Sequence, residues 1–335
     1  MSTSQNGLAL VTGATGFVGS AVARALLQAG YGVRAMTRAT SPRQHLEALD
    51  IGFVAGDLND PASLRRALEG CQYLFHVAAD YRLWLKHPEE MFCTNVDGTR
   101  ALMAAALDVG VERVVYTSSV AALGLTKDGS KADELTPTSL AEKVGPYKQS
   151  KYLAEQEVLR LVAEKNLPAV IVNPSTPVGP RDVKPTPTGR VILEAAQGKM
   201  PAYVDTGLNL AHVDDVANGH LLALHKGAIG EKYILGGEDV SLAEMLRITC
   251  DYAGVKAPTI QLPRQLIYPV AYMMELLANI TGKEPMTTVD TVRMAAKKMY
   301  FSTAKAEREL GYTHRPAAQG LTDAVDWFRA NGYMS

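Results

Sequence analysis

Through its first half the chain alternates short apolar runs with amphipathic stretches of helical period. The segments LALVTGA, VRAMTR, FVAGD, YLFHVAA, RVVYTSS and AVIVNPS each gather apolar residues that end on a small or polar one. Runs that are apolar on both faces belong to strands covered on both sides, and their alternation with helices predicts a parallel sheet wrapped by helices. The expected fold class is therefore α/β, a Rossmann-type doubly wound parallel sheet. Crossovers in such sheets are right-handed and ligands sit beyond the carboxyl ends of the strands, so chemistry should gather where each run closes. After Pro177 the rhythm loosens into TPVGPRDVKPTPTGR, then a helix, one more strand-like run, EKYILGG, and several helices. This predicts a dinucleotide-binding domain over 1–177 and a smaller, mostly helical substrate region over 178–335, with 211–237 returning to the Rossmann core.

Composition narrows the partners. The 335 residues are 47% hydrophobic, enough for a large core, and 34 Lys and Arg nearly balance 35 Asp and Glu, so no net field recruits nucleic acid. Cys71, Cys93 and Cys250 lie far apart with no metal-binding spacing, which predicts buried, reduced thiols and a cytoplasmic location. The opening MSTSQNG is short and polar and leads straight into a strand, unlike a secretory signal. The most apolar long run, residues 266–280, is broken by Pro269 and Glu275 and falls short of the ~20 residues a spanning helix needs. No integral membrane segment is expected; at most that run touches a lipid surface. A Met and aromatic stripe on a helix is more often core, although Tyr268, Tyr272, Met273 and Met274 could also be presented to an apolar substrate.

The first run ends VTGATGFVG and opens a helix. Gly13 permits the tight turn, Gly16 lets backbone approach a pyrophosphate, and Gly19 lets helix and sheet pack closely. Thr15, Gly16 and the amides of Phe17 and Val18 would then surround the phosphates of a dinucleotide. The second run ends on Thr37 and Arg38, with Arg43 a few residues on, where an acidic residue would otherwise hold free ribose hydroxyls. A 2′-phosphate suits that charge, so NADP is favoured over NAD. Asp57, with Leu58 beside it, closes the third run and is placed to accept from the adenine amino group, although a helix N-cap would look similar.

In GPYKQSKYLAEQEVL, Tyr147 and Lys151 are one helical turn apart. A phenol titrates near 10, too high for proton transfer at neutral pH, and an ammonium on the same helical face should draw it downward. Upstream, RVVYTSSVAALG ends the fifth run with Thr117, Ser118 and Ser119, and Ser119 can donate a hydrogen bond to a substrate oxygen as charge develops there. Either motif alone is common; glycine loop, strand-end serine and tyrosine–lysine pair in this order are not.

With these motifs the sequence resembles the extended short-chain dehydrogenases/reductases, the NAD-dependent epimerase/dehydratase family. The likeness continues through HVAA, NVDGTR, NPSTPVGP, HVDDVANGH and the tail AERELGY…GLTDAVDWFRANGY. The resemblance implies that Tyr147 is the catalytic acid/base, Lys151 its electrostatic partner and ribose ligand, and Ser119 the residue that orients the carbonyl. It also implies that Val77, Ala78, Ala79 and Thr117 line the cofactor, that Pro174, Ser175 and Thr176 touch the nicotinamide, and that Asn95 is a structural asparagine near the active site. Relatives pair through a four-helix interface, which implies a homodimer formed by the Tyr147 helix and the one holding Asn95. Within the family the chain is most similar to the hopanoid-associated sugar epimerase subgroup, related to dihydroflavonol 4-reductases.

Sugar epimerases of this family commonly carry an arginine for the nucleotide diphosphate where this chain has Leu208 and Asn209; Arg181, Lys184 or Arg190 could substitute. Asn209 is counted among the substrate residues with Tyr81, Trp84 and Ser119, and DYRLWLKH offers Leu83 as well. His76 and His212 have no metal partners or nucleophile beside them and read as structural. The leading expectation is an NADP(H)-dependent oxidoreductase that interconverts a secondary alcohol and a ketone on a moderately apolar small molecule. Its rival is a nucleotide-sugar epimerase or dehydratase with tightly bound NAD(P). A non-catalytic NADP-sensing regulator is disfavoured by the intact Tyr147, Lys151 and Ser119.

Overall fold

The structure is a computed structural model that describes residues 6–334 apart from 83, 284 and 286, so Leu83 and the start of the chain lie outside the described residues. The six apolar runs form β1 (Leu8–Thr12), β2 (Gly32–Thr37), β3 (Ile51–Ala55), β4 (Tyr73–His76), β5 (Arg113–Thr117) and β6 (Ala169–Pro174). Beyond them lie β7 (Thr176–Val178), β8 (Ala202–Tyr203), β9 (Gly207–His212), β10 (Lys232–Leu235), β11 (Glu238–Ser241) and β12 (Ile260–Gln261). The helices are α1 (Phe17–Gln28), α2 (Pro61–Leu68), α3 (Glu89–Phe92), α4 (Gly98–Val109), α5 (Gly145–Lys165) and α6 (Pro187–Ala196). They continue with α7 (Val213–Lys226), α8 (Leu242–Ala253), α9 (Tyr268–Thr281), α10 (Val289–Met294), α11 (Ala304–Leu310) and α12 (Ala317–Ala330).

Seven strands make one sheet in the order β10-β6-β5-β4-β1-β2-β3, every neighbouring pair parallel. The order reverses at β1 and β4, which opens a crevice at their carboxyl ends. Val22 and Leu26 of α1 pack with Val216 and Leu224 of α7 on one face; Leu64, Leu102, Ala154 and Val158 of α2, α4 and α5 cover the other. Because both faces are covered, β6 is buried along its whole length, which explains the apolar run AVIV that opens it. Although β10 is remote in sequence, it pairs in register with β6 from Lys232 opposite Ile171 to Leu235 opposite Pro174.

A second layer gathers around the three-stranded sheet β11-β9-β7 and packs Ile192, Met245, Leu321, Val325 and Phe328 from α6, α8 and α12. Polar contacts tie it to the core. Arg315, just ahead of α12, donates from its backbone N to Asp215 of α7 at 2.8 Å, and its Nε lies 3.2 Å from the same carboxylate.

Two expectations from the sequence require correction. Cys71 and Cys250 are buried, but Cys93 is exposed, because it opens a π-helical turn over Cys93–Asp97 whose inward position goes to Asn95. The apolar run 266–280 is not a core stripe: Ile267, Tyr268 and Met274 are half-buried and its other large apolar side chains are exposed. Only Ala271 and Ala278 of α9 are buried, and Tyr272 and Met273 face outward at 57% and 59% exposure. Among the described residues, no helix is long and apolar enough to cross a membrane.

Candidate active site

At the carboxyl end of β1 the chain turns through Gly13, whose φ of +69° is reached cheaply only without a Cβ. A Cβ on Gly13 would meet the Ala78 amide nitrogen at 2.7 Å, and one on Gly19 would meet the Gly13 carbonyl oxygen at 2.1 Å. The three glycines thus let β1, the loop after β4 and α1 close on one another. Helix α1 begins at Gly16 with no side-chain cap and no acid in its first turn, so its leading amides, Phe17 and Val18 among them, are left for an anion. Thr12 Oγ1 accepts from the Val77 and Ala78 amides at 3.2 Å each and pairs with His76 Nδ1 at 2.8 Å. The other ring nitrogen of His76 meets Thr99 at 2.9 Å, and burial holds its pKa down to about 3, so His76 is a neutral clamp between β1, β4 and α4.

Around this loop stand the other residues expected to meet a dinucleotide. Thr37 ends β2 buried, with its Oγ1 lacking a partner, and Arg38 follows it exposed. Arg43 stacks over Phe53 at 5.3 Å. The N-cap of α2 is Asp60, not Asp57; Asp57 Oδ1 accepts only from Asn59 N at 2.9 Å, one turn ahead of the helix, and Leu58 beside it is buried. At the end of β6, Ser175 is buried between Pro174 and Thr176, and its Oγ also lacks a partner. A cradle that a Cβ would fill, free helix amides and two orphaned buried hydroxyls fit a nicotinamide dinucleotide along the crevice.

Helix α5 presents Tyr147, Ser150, Lys151, Ala154 and Glu155 toward β5. Lys151 is 4% exposed; its Nζ donates to the Thr117 carbonyl at 2.9 Å and lies 5.2 Å from the centre of the Tyr116 ring. Burial lowers its pKa to about 8, and the Glu155 charge opposes that fall. Tyr147 departs from expectation. Its phenol is raised by burial first, lowered in part by a hydrogen bond with Ser119, and raised again by Tyr81; Lys151 is not among the groups that move it. The physical reason is that the ammonium is held by the Thr117 carbonyl and the Tyr116 face, while the phenol is withdrawn from water.

Ser119 caps a short 3-10 turn, its Oγ accepting from Ala121 N at 3.1 Å, and Thr117 Oγ1 meets His220 Nε2 at 2.9 Å. Asn95 Oδ1 accepts from Asp80 N at 2.7 Å while its amide donates to the Asp80 carbonyl and to Ser150 Oγ, so it pins the loop after β4 to α5. Tyr81 on that loop is 43% exposed, yet its phenol is pushed upward, by burial first and then by Asp182. Trp84 lies farther out, in a cleft of about 290 Å³ with Arg82, Leu85, Lys86, His87, Glu90 and Gly282. A further cavity of about 710 Å³ opens beside β11, lined by Lys131, Asp239, Phe301 and His314 among others; it shares no residue with these strand ends.

Asn209 is not at the site. It is 1% exposed, its amide donates to Gly237 O, Asp239 Oδ1 and Phe301 O, and its Oδ1 accepts from Gly237 N, leaving nothing for a substrate. Arg181 is likewise engaged, with Asp214.

Two further groups at the site were not singled out in the sequence. Glu155 is fully buried; its Oε2 accepts from Ser118 Oγ at 2.6 Å and from Asn173 Nδ2 at 2.7 Å, and Asn173 also holds the Ser119 carbonyl at 3.0 Å. Its position, four residues after Lys151 on the same helical face, was the available signal. Asp182 is 2% exposed, accepts from Thr186 N and Oγ1 at 2.8 Å each, and leaves Oδ1 without a partner. Burial raises its pKa to about 6. No periodicity marks it, because it lies in the Pro-rich loop.

The model of the family described as NAD dependent epimerase/dehydratase matches residues 9–236, from β1 through β10. The chain belongs to that family. It is 48% identical over 97% of its length, and 95% of the relative's, to a Synechocystis protein that carries the provisional name dihydroflavonol 4-reductase. It is 35% identical to sterol demethylase protein B of Methylococcus capsulatus, covering 97% and 99% of the two chains. It is 31% identical to a farnesyl dihydroquinoline-oxide ketoreductase of Stigmatella aurantiaca, covering 94% of each. Among solved structures, gox2253 superposes with a TM-score of 0.89 at 58% identity, covering 98% of this chain and 100% of that one. A nucleoside-diphosphate-sugar epimerase from Pseudomonas aeruginosa superposes with a TM-score of 0.82 at 28% identity, covering 98% and 100%. The protein is therefore an NAD(P)-dependent enzyme of the epimerase/dehydratase family, acting on a small molecule.

Proposed function

We propose that this family member is an NADP(H)-dependent reductase that interconverts a ketone and a secondary alcohol on a moderately apolar small molecule. The carrying observation is that Leu208 and Asn209 stand where sugar epimerases commonly carry an arginine for the nucleotide diphosphate, with Asn209 fully hydrogen-bonded inside the protein and Arg181, one of the cations that could substitute, paired with Asp214. The relatives named for a sterol demethylase protein and a farnesyl quinoline ketoreductase support an apolar substrate. In this reading residues 1–177 carry the cofactor and 178–335 mainly the substrate, with 211–237 completing the core.

The nicotinamide, when bound, supplies or accepts the hydride. Tyr147 gives its phenolic proton to the carbonyl oxygen as that oxygen gains charge, and Ser119 donates a second hydrogen bond to the same atom. Lys151, anchored by the Thr117 carbonyl, would donate to the ribose of the bound nucleotide and so hold it beside Tyr147. The raised pKa of Tyr147 in the protein alone suits an acid that must hold its proton until the substrate arrives.

The decisive test follows NADPH absorbance with a medium-chain 3-oxo ester and, separately, measures retained cofactor and UDP-hexose binding in the purified protein. Net NADPH oxidation that falls ~10²–10⁴-fold in Tyr147→Phe, with NADPH binding intact, is the expected result. Tightly retained cofactor, UDP-hexose binding and no net redox change would instead establish the epimerase reading, which the likeness to the Pseudomonas aeruginosa epimerase favours.

A further inference from the structure

Helix α9 presents a face that no other described residue covers. Leu266, just before it, and Val270, Met273, Leu277 and Ile280 recur at helical spacing, 48% to 75% exposed, and Tyr272 and Leu276 widen the strip. Contiguous apolar surface on this scale is rare on a water-facing monomer. The opposite side is a finished interface, where Ala271 packs on Val289 and Val292 of α10. Glu275, the one charged residue of α9, is turned to that inner side and accepts from Val289 N at 2.8 Å. The outward arc is therefore uncharged.

Cations bracket it. Arg264 precedes the helix and Lys283 follows it, and the cleft at Gly282 adds Lys86 beside Trp84, with Glu90 also on its wall. We propose that α9 is an interfacial anchor that lays this apolar face into the surface of an anionic lipid bilayer. Apolar face, aromatic edge and basic margins are the signature of a helix that lies in the headgroup plane. With 14 residues α9 is about 21 Å long, too short for a hydrocarbon core of about 30 Å, so it lies on the membrane. Arg264 at one end of the helix and Lys283, with Lys86 in the cleft beside Gly282, at the other give each margin a basic residue that anionic headgroups satisfy.

The anchor is joined to the site. Asp290 of α10 lies 3.0 Å from where a Cβ on Gly145 would stand, at the first residue of the helix that carries Tyr147, and Lys148 contacts Met299 Sδ at 3.5 Å. Docking through α9 holds the approach to Tyr147 near the lipid. The inference does not depend on the reaction proposed above, because vesicle binding reads the surface alone.

The test is flotation of the full-length protein with vesicles of phosphatidylcholine plus phosphatidylglycerol, and with phosphatidylcholine alone. The wild type should float with the anionic vesicles, less so at high salt, and Leu276→Ser combined with Ile280→Ser should cut binding at least ~10-fold while thermal stability and cofactor binding hold. Arg264→Glu with Lys283→Glu should abolish the preference for anionic vesicles. A wild type that stays unbound with anionic vesicles overturns the proposal. So does a concentration-dependent dimer, lost in the serine variant, without flotation.

Discussion

Glu155 shows how one buried carboxyl serves two functional groups. It holds Ser118 and Asn173, and through Asn173 the Ser119 carbonyl, while its charge supports the Lys151 ammonium against desolvation. Glu155→Gln keeps an acceptor there but removes the charge, so the pKa of Lys151 should fall below its value of about 8. The alkaline limb of the pH–rate profile should then move to lower pH by roughly one unit, a shift that a purely structural role would not produce. Arg38 tests the cofactor preference. It is exposed directly after a buried threonine whose hydroxyl has no partner, so Arg38→Asp should raise the KM for NADPH roughly ten- to hundredfold and leave that for NADH nearly unchanged, by steady-state kinetics with both cofactors.

At the scale of elements, the β1–α1 turn admits no substitution where backbone meets backbone. Gly19→Ala would press a methyl to 2.1 Å from the Gly13 carbonyl, whereas at Gly52 the nearest atom to an added Cβ is 3.7 Å away. Gly19→Ala should cost about 1–3 kcal/mol in denaturant unfolding and weaken NADPH binding at least tenfold, with Gly52→Ala as a near-neutral control. Helix α5 carries a functional stripe in place of an apolar one: Ser150, Lys151 and Glu155 are all buried along with Ala154, Val158 and Leu161. Its polar members are satisfied by β5 and by the Asn95 clamp, which is why a helix of weak amphipathic pattern packs inward.

For the whole molecule, acid sensitivity is built into the core. His76 and His220 are buried neutral, with pKa values held down by burial to about 3 and about 4, against 6.5 in the unfolded chain. The unfolded state binds the extra protons first. Stability is therefore complete above pH 6.5 and declines as pH falls toward 4, by at most about 1.4 kcal/mol per pH unit for each histidine. Thermal melts from pH 7 to pH 4 should show this decline, and His220→Gln should make it shallower. His220 bonds Thr117 at the end of β5, so the same descent loosens the strand end that anchors Lys151.

The sequence by itself determined the doubly wound parallel sheet and its first six strands, because strands covered on both faces read as apolar runs and a close strand-to-helix turn favours glycine. It also marked Tyr147, Lys151 and Ser119, since a functional pair on one helical face follows from the 3.6-residue period alone. Only the tertiary structure decided what each polar group has left to offer. Asn209 looked available and is fully hydrogen-bonded; Arg181 looked free and is paired; Glu155 belongs to no motif singled out in the sequence and braces the site. It also decided that the most apolar helix faces outward. Local pattern fixes which face of an element is apolar, but whether that face is covered, and which partner meets each hydrogen-bonding atom, depends on residues distant in the chain.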